Sequence, residues 1–203
     1  MEEKIYFISG FSASIDVVGF VMKAAGSTFS QLEIAGRLNI KERVFPIFEI
    51  GLAEGNRVGN SKDNVFHTSS PYFRAGFDIN VNKKRTSNRF MVGFRFGYSS
   101  FEYDFSGPSL KDPVWGETIP LEMKSIPASA MWGEGVLGFE TKIWSFIRIG
   151  WNARYKFRFT QKHYEYGEPW YVPGYGKSSG MGIMFNYTIG YTFYSGQDTK
   201  GKE

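Results

Sequence analysis

Gly182-Ile183-Met184-Phe185-Asn186-Tyr187-Thr188-Ile189-Gly190-Tyr191-Thr192-Phe193 decides how the rest of the chain is read. Every odd position is large and apolar. Every even position is small or polar, with Met184 as the one exception. Period-two alternation over this length is the mark of a β-strand with one apolar and one wet face. Aromatic side chains dominate the apolar face, as they do on strands immersed in lipid.

Working outward, the same pattern recurs. Ile5 to Val17 sets Phe7, Phe11 and Ile15 against Ser12, Ser14 and Asp16. Gln31 to Lys41 sets Leu32, Ile34 and Leu38 against Glu33, Arg37 and Asn39. Phe48, Ile50 and Leu52 alternate with Glu49, Gly51 and Ala53. Tyr72 to Asn82 places Phe73, Phe77 and Ile79 opposite Arg74, Gly76 and Asp78. Phe90 to Ser99 places Phe94, Phe96 and Tyr98 opposite Gly93, Arg95 and Gly97. Pro127 to Thr141 is the least regular, with Leu137 and Phe139 opposed to Trp132, Glu134 and Glu140. Ile147 to Phe159 is clean, with Trp151, Ala153, Tyr155 and Phe157 opposed to Arg148, Asn152, Arg154, Lys156 and Arg158. With the opening stretch these make eight strands. The connections alternate between short ones (41–43, 82–88, 142–145) and long ones (18–30, 54–70, 103–124, 161–178). An up-and-down antiparallel barrel of the outer membrane has short periplasmic turns and longer external loops. Eight strands put both termini on the short-turn side.

Alternation alone does not say which face is inside; volume does. An eight-stranded barrel has an interior just wide enough for side chains to fill. Twelve or so aromatic rings on the apolar faces would not fit there, whereas Gly51, Gly76, Gly93, Gly97, Gly150 and Gly190 lie on the polar faces. The expected fold is therefore an all-β transmembrane barrel with a polar interior and an apolar, aromatic exterior. The barrel occupies residues 1–194, and 195–203 form a polar tail. The interior charges need partners. Arg37, Arg74, Arg95, Arg148, Arg154 and Arg158, with Lys156, are matched by Glu49, Asp78 and Glu134, with Asp16, Glu33 and Glu140. Near-balance of sign, together with Trp132, points to a solid ion-paired core.

Composition agrees. The chain has 203 residues, 18% aromatic, with 24 glycines. Mean hydropathy is −0.30, and no uncharged run reaches the roughly 18 residues a membrane helix needs. A spanning barrel escapes that test because half of each strand is polar. There is no cysteine, which excludes disulfides and Cys-ligated metals. The net charge of +4 is dispersed, so a nucleic-acid partner is not expected. The start, Met1-Glu2-Glu3-Lys4, does not read as a secretory signal, so an exported protein would be present in mature or trimmed form.

The loops hold the remaining chemistry. His67 and His163 lie in long connections, and neither has a second His or a Cys at metal-ligand spacing; no metal or cofactor is expected. His67-Thr68-Ser69 is a His-x-Ser triplet of the kind in which His serves as base to a Ser nucleophile, but it is read here as part of a polar loop. His163 with Glu165 has no nucleophile nearby. Loop 103–124 carries Asp104, Lys111, Asp112, Glu117 and Glu122 without calcium-loop spacing. Segment 163–175 concentrates Tyr164, Tyr166, Trp170, Tyr171 and Tyr175 with two prolines. Rigid aromatic rings are favoured contact residues, so these five are expected to form a partner-docking surface; the alternative is a set of rings seated at the membrane–water boundary, as in aromatic girdles.

The chain resembles small outer-membrane barrels of Gram-negative bacteria. It looks most like an uncharacterised outer-membrane barrel family of Bacteroidota, a domain-of-unknown-function group. The resemblance is carried by Leu32-Glu33-Ile34-Ala35-Gly36, Phe77-Asp78, Phe94-Arg95-Phe96-Gly97-Tyr98-Ser99, Trp132-Gly133-Glu134, Val172-Pro173-Gly174-Tyr175 and Phe185-Asn186-Tyr187-Thr188, in that order. It implies a bacterial outer-membrane location with periplasmic termini, contact with outer-membrane lipid, and membership in larger envelope assemblies. It brings no activity. The leading expectation is thus a non-enzymatic scaffold or accessory subunit of an envelope complex, docking through its loops or lipid face. The alternatives are a narrow ion or small-molecule channel, and a lipid-modifying hydrolase using His67 and Ser69.

Overall fold

The computed structural model describes residues 7–16, 18–58, 65–82, 88–111, 118–144, 146–161, 168–177 and 182–195. At 20, 110–111, 119–120, 160–161, 182–188 and 193–195 only the backbone is described. The elements are β1 (Ile8–Asp16), α1 (Val18–Ala24), β2 (Phe29–Ile40), β3 (Val44–Val58), β4 (Val65–Asn80), β5 (Asn88–Lys111), β6 (Thr118–Lys142), β7 (Ile147–Gln161), β8 (Tyr171–Val172), β9 (Gly176–Lys177) and β10 (Gly182–Ser195). Eight of these strands pair antiparallel with their neighbours, and β10 returns to β1 to close a barrel; β8 and β9 form a separate small hairpin.

The pleat sorts the side chains as the alternation requires. On β3, Phe48, Ile50 and Leu52 are exposed while Glu49, Gly51 and Ala53 are buried. On β4 the exposed Phe73 and Phe77 alternate with the buried Arg74 and Asp78. Exposed and half-buried rings pack against one another across strands: Phe90 with Phe139, Phe94 with Phe157, Phe139 with Trp151 and Phe146 with Tyr191. Exposure of these residues is large, 54% for Phe48 and 60% for Leu137, while the largest fully buried side chains include Trp132, Arg74, Arg95 and Glu134. The buried face carries the charged residues of these strands together with apolar ones such as Phe66, Phe101, Trp132 and Val136.

Four expectations are corrected. The strands on the long-connection side run further than alternation marked. Residues 65–70 belong to β4, so His67, Thr68 and Ser69 lie on a strand and not in a loop. Most of 103–124 is likewise strand, because β5 and β6 continue as a hairpin paired to Lys111↔Thr118. Asp104 and Glu122 lie on it, while Asp112 and Glu117 fall outside the described residues. Both faces of these extensions carry polar groups, so no apolar period signals them. Connection 18–30 contains α1, whose start is tied by the Val18 backbone N–H donating to Asp16 Oδ1 at 3.0 Å. Fourth, connection 161–178 does not stand wholly outside the barrel. The turn between β2 and β3 closes through Lys41 and Glu42, both at positive φ (52° and 56°), the hand that a two-residue hairpin turn needs. Asn39 Oδ1 accepts the Glu42 N–H there at 2.8 Å. Residues 196–203, most of the expected tail, lie outside the described residues.

Candidate functional site

Inward positions on five strands converge at mid-barrel. Glu33 comes from β2, Glu49 from β3, Arg74 from β4, Glu134 from β6 and Arg154 from β7. All are at most 3% exposed. Arg74 Nη1 lies 3.0 Å from Glu134 Oε2, its Nε 3.3 Å from Glu49 Oε2, and its Nη2 bonds Glu33. Arg154 Nη1 lies 2.9 Å from Glu49 and 3.4 Å from Glu134, and its Nη2 3.1 Å from Glu33. Two guanidiniums therefore each bridge the same three carboxylates across the barrel. Tyr72 donates its hydroxyl proton to Glu33 Oε2 at 2.6 Å, and Trp132 Nε1 donates to Glu134 Oε1 at 2.7 Å. Arg95 extends the network to Glu49 (3.2 Å) and to the Asp78 carboxylate (2.8 Å), and donates to the Phe77 carbonyl. Arg37 continues it to Asp78 (3.5 Å) and Glu140 (3.1 Å). Desolvated charges are tolerated when each finds partners of opposite sign and its remaining protons and lone pairs are bonded.

The fit is close. Gly97 faces the Trp132 indole, and a Cβ there would sit 2.2 Å from the ring carbon Cε2. A residual cavity of about 40 Å³ remains, lined by Asp16, Arg37, Glu49 and Asp78 among others; at about 10–15 Å³ per water it has room for about three.

Of the nine residues expected in the interior network, the structure brings together Arg37, Glu49, Arg74, Asp78, Arg95, Glu134 and Arg154. Arg158 instead meets Glu168 at 3.6 Å and lies over the Tyr175 ring. Arg148 lines a small cavity with Arg89 and Lys142 nearer the short-turn end. Glu33 and Lys156, counted among the interior charges but not singled out, are integral members, as are Tyr72 and Trp132.

Above the network the mouth is closed by the β8–β9 hairpin. Lys156 Nζ donates to the carbonyls of Gly174 (2.6 Å) and Tyr175 (3.3 Å) and lies 3.6 Å from Glu134. Val172-Pro173-Gly174-Tyr175 is a turn with Tyr175 N–H on Val172 O (3.1 Å) and Gly174 at φ 80°. Pro then Gly at the two central positions is the composition of a type II turn; that signal was open to reading in the sequence. Gly174 abuts the Tyr72 ring, 2.4 Å from where a Cβ would sit. Tyr171, Val172 and Tyr175 are buried in a cluster with Phe66, Tyr72, Phe101 and Trp132. Burial pushes the Tyr171 phenol up to about 12. This corrects the expectation of an outward aromatic surface: Tyr171 and Tyr175 are plug residues, because their rings fill a mouth that the strands alone leave open. Trp170 is half-buried, with the Arg57 guanidinium 4.3 Å over its ring and Phe29 beside it. Tyr164 and Tyr166 lie outside the described residues, as do His163 and Glu165.

His67 and Ser69 share the outer face of β4. His67 Nδ1 bonds Asn56 Oδ1, and Asn56 Nδ2 donates to Glu54 Oε1 at 2.8 Å. Among the described residues no hydrogen bond joins Ser69 to His67.

The family model of a domain of unknown function (DUF6048) matches residues 2–194. No curated protein matches the chain.

Proposed function

The chain belongs to the family of this domain of unknown function, DUF6048, and on that premise we propose that it is a non-enzymatic integral barrel of the bacterial outer membrane, in Bacteroidota, serving as a scaffold or accessory subunit of an envelope complex. One observation carries the reading: a band of large apolar side chains is exposed on the outside of the barrel while Arg and Glu are buried within it. In water so large an apolar surface would drive association; in a bilayer it is the solvated face. The short turns, the start of β1 and the end of β10 then lie on the periplasmic side.

The ion-paired interior, the 40 Å³ cavity and the plugged mouth favour a closed barrel over a channel. Partner contact falls to what projects beyond the barrel. Past Ala130, the last β6 residue paired with β7, β6 pairs among the described residues with β5 alone. That hairpin is the docking element we propose in place of Tyr171 and Tyr175, which are buried in the mouth.

The test is a photo-crosslinking residue at Glu122 or Lys124, both exposed on β6, in cells of the native host, alongside conductance of the purified protein in planar bilayers. The expected result is a discrete cross-linked envelope protein and no unitary conductance. Steady single-channel steps would replace the scaffold reading with the channel.

A further inference from the structure

Between α1, the first residues of β2 and the plug hairpin lies a cavity of about 220 Å³. Its walls are largely apolar, formed by Val18 and Met22 of α1, Phe29 of β2 and Tyr171 of β8. Two charged residues border it. Asp16 is buried, and its Oδ1 is engaged by the Val18 backbone N–H at 3.0 Å. Lys177 is exposed at the rim, its ammonium 5.9 Å from the centre of the Trp170 ring, with no carboxylate at ion-pair distance among the described residues. Its walls do not fall in on one another, because each is held elsewhere. The Phe29 ring stacks on Tyr171 (5.1 Å), the hairpin hangs from Lys156, and the backbone of α1 is in close contact with β2 at Gly19, where a Cβ would overlap the Gln31 carbonyl.

A cavity of this size exceeds the roughly 150 Å³ apolar voids that take up benzene. It therefore has room for a short alkyl chain. We propose that it is a binding site for a medium-chain carboxylate: the alkyl chain fills the cavity between α1 and the plug, and Lys177 receives the carboxylate at the rim. The chemistry is that of small-ligand sites in general: largely apolar walls, with Lys177 at the rim fixing orientation while the Asp16 carboxylate is held by the Val18 N–H. The inference is independent of any docking role, since it requires only the fold.

The experiment is saturation binding of radiolabelled octanoate to the full chain in lipid nanodiscs, with empty nanodiscs as blank. Saturable binding is expected. Val18→Trp, which places an indole in the cavity, should abolish it while the heat-dependent gel mobility of the folded barrel is kept; Met22→Trp serves if Val18→Trp does not fold. Lys177→Gln should weaken octanoate binding about tenfold and leave competition by octanol unchanged, because only the acid uses the ammonium. Binding no greater than the blank, binding that survives a folded cavity-filling variant, or an equal response of acid and alcohol to Lys177→Gln would each overturn the proposal. So would photolabelling of Val18 or Met22 by a phospholipid acyl chain that octanoate fails to displace, since the cavity would then belong to the bilayer lipid.

Discussion

Glu49→Gln is the sharpest perturbation of the interior. The carboxylate is 1% exposed and meets three guanidiniums: Arg154 at 2.9 Å, Arg95 at 3.2 Å and Arg74 at 3.3 Å. Gln keeps the volume and one acceptor but removes the charge. Arg37, Arg74, Arg95, Arg154 and Lys156 then face four carboxylates in place of the present five, Glu33, Glu49, Asp78, Glu134 and Glu140. Stranding one buried charge costs about 3–5 kcal/mol. At about 1.4 kcal/mol per factor of ten, that lowers the folding equilibrium by two to nearly four orders of magnitude. The assay is urea unfolding in lipid vesicles, with the folded fraction read from gel mobility. Adding Arg154→Gln to Glu49→Gln removes one charge of each sign, so the double variant should be less destabilised than the two singles summed, by about 0.5–3 kcal/mol. Glu54→Gln is the control. Its pair with Lys23 (3.2 Å) is exposed, and exposed pairs are worth at most about 1 kcal/mol and fade with salt. If Glu49→Gln costs no more than Glu54→Gln, or if its effect is removed by salt, the buried network does not hold the barrel.

Three further outcomes follow from the same geometry. Ala153→Arg, between Leu137 and Phe185 in the sheet, should cost about 2–4 kcal/mol in a bilayer, whereas Asn152→Arg points at Arg154 and should be limited by crowding and like charge; quenching by lipid-borne probes at 152 rather than 153 would invert the register. Gly174→Ala forces a side chain into positive φ and against Tyr72, so it should loosen the plug by upwards of about 1 kcal/mol and speed chymotryptic cleavage after Tyr171 and Tyr175; an unchanged digestion pattern would mean the hairpin is not seated by that turn. His67→Ala with Ser69→Ala should leave folding unchanged, and lipid-ester hydrolysis by the parent that disappears in the double variant would bring the hydrolase reading forward.

Alternation was legible wherever one face of a strand is apolar, which is why Phe48 to Ala53, Phe73 to Asp78 and Ile147 to Lys156 could be assigned to sides from the sequence alone. It failed where both faces carry polar groups. His67 to Ser70 and the outer halves of β5 and β6 obey the same pleat, but no solvent contrast writes it into the residue types. The interior charges were legible as a set because parity places them. Their pairing was not, because it depends on which strands face each other across the barrel: Arg154 reaches Glu33 and Glu49 on strands more than a hundred residues earlier. The plug was misread for a different reason. Aromatic rings with prolines fit an outward anchor or an inward stopper equally well, and the deciding partner, Lys156, looked like one more interior cation. Asp16 was assigned to the interior, and its second role in starting α1 was missed.

The division of labour within the barrel follows from where it is rigid. Glu33, Glu49, Arg74, Glu134 and Arg154 tie five strands together across the interior, and Lys156 ties the hairpin into the mouth. On the proposed reading, a partner would gain little from entering the barrel and would meet its outside. The β5–β6 extension offers an edge, but features along β6 oppose pairing of a further strand. Pro127 lacks an N–H, Ser125 takes positive φ (52°), and Lys124 and Glu122 pair on the exposed surface at 2.8 Å. Proline, irregular backbone and surface charge are the devices by which edges avoid strand addition. Recognition is then left to the faces of the hairpin, where Leu121, Met123 and Ile126 are half-buried beside exposed Glu122 and Lys124. On the proposed reading, a surface of that mixture suits a reversible contact with a folded protein better than capture of an extended peptide.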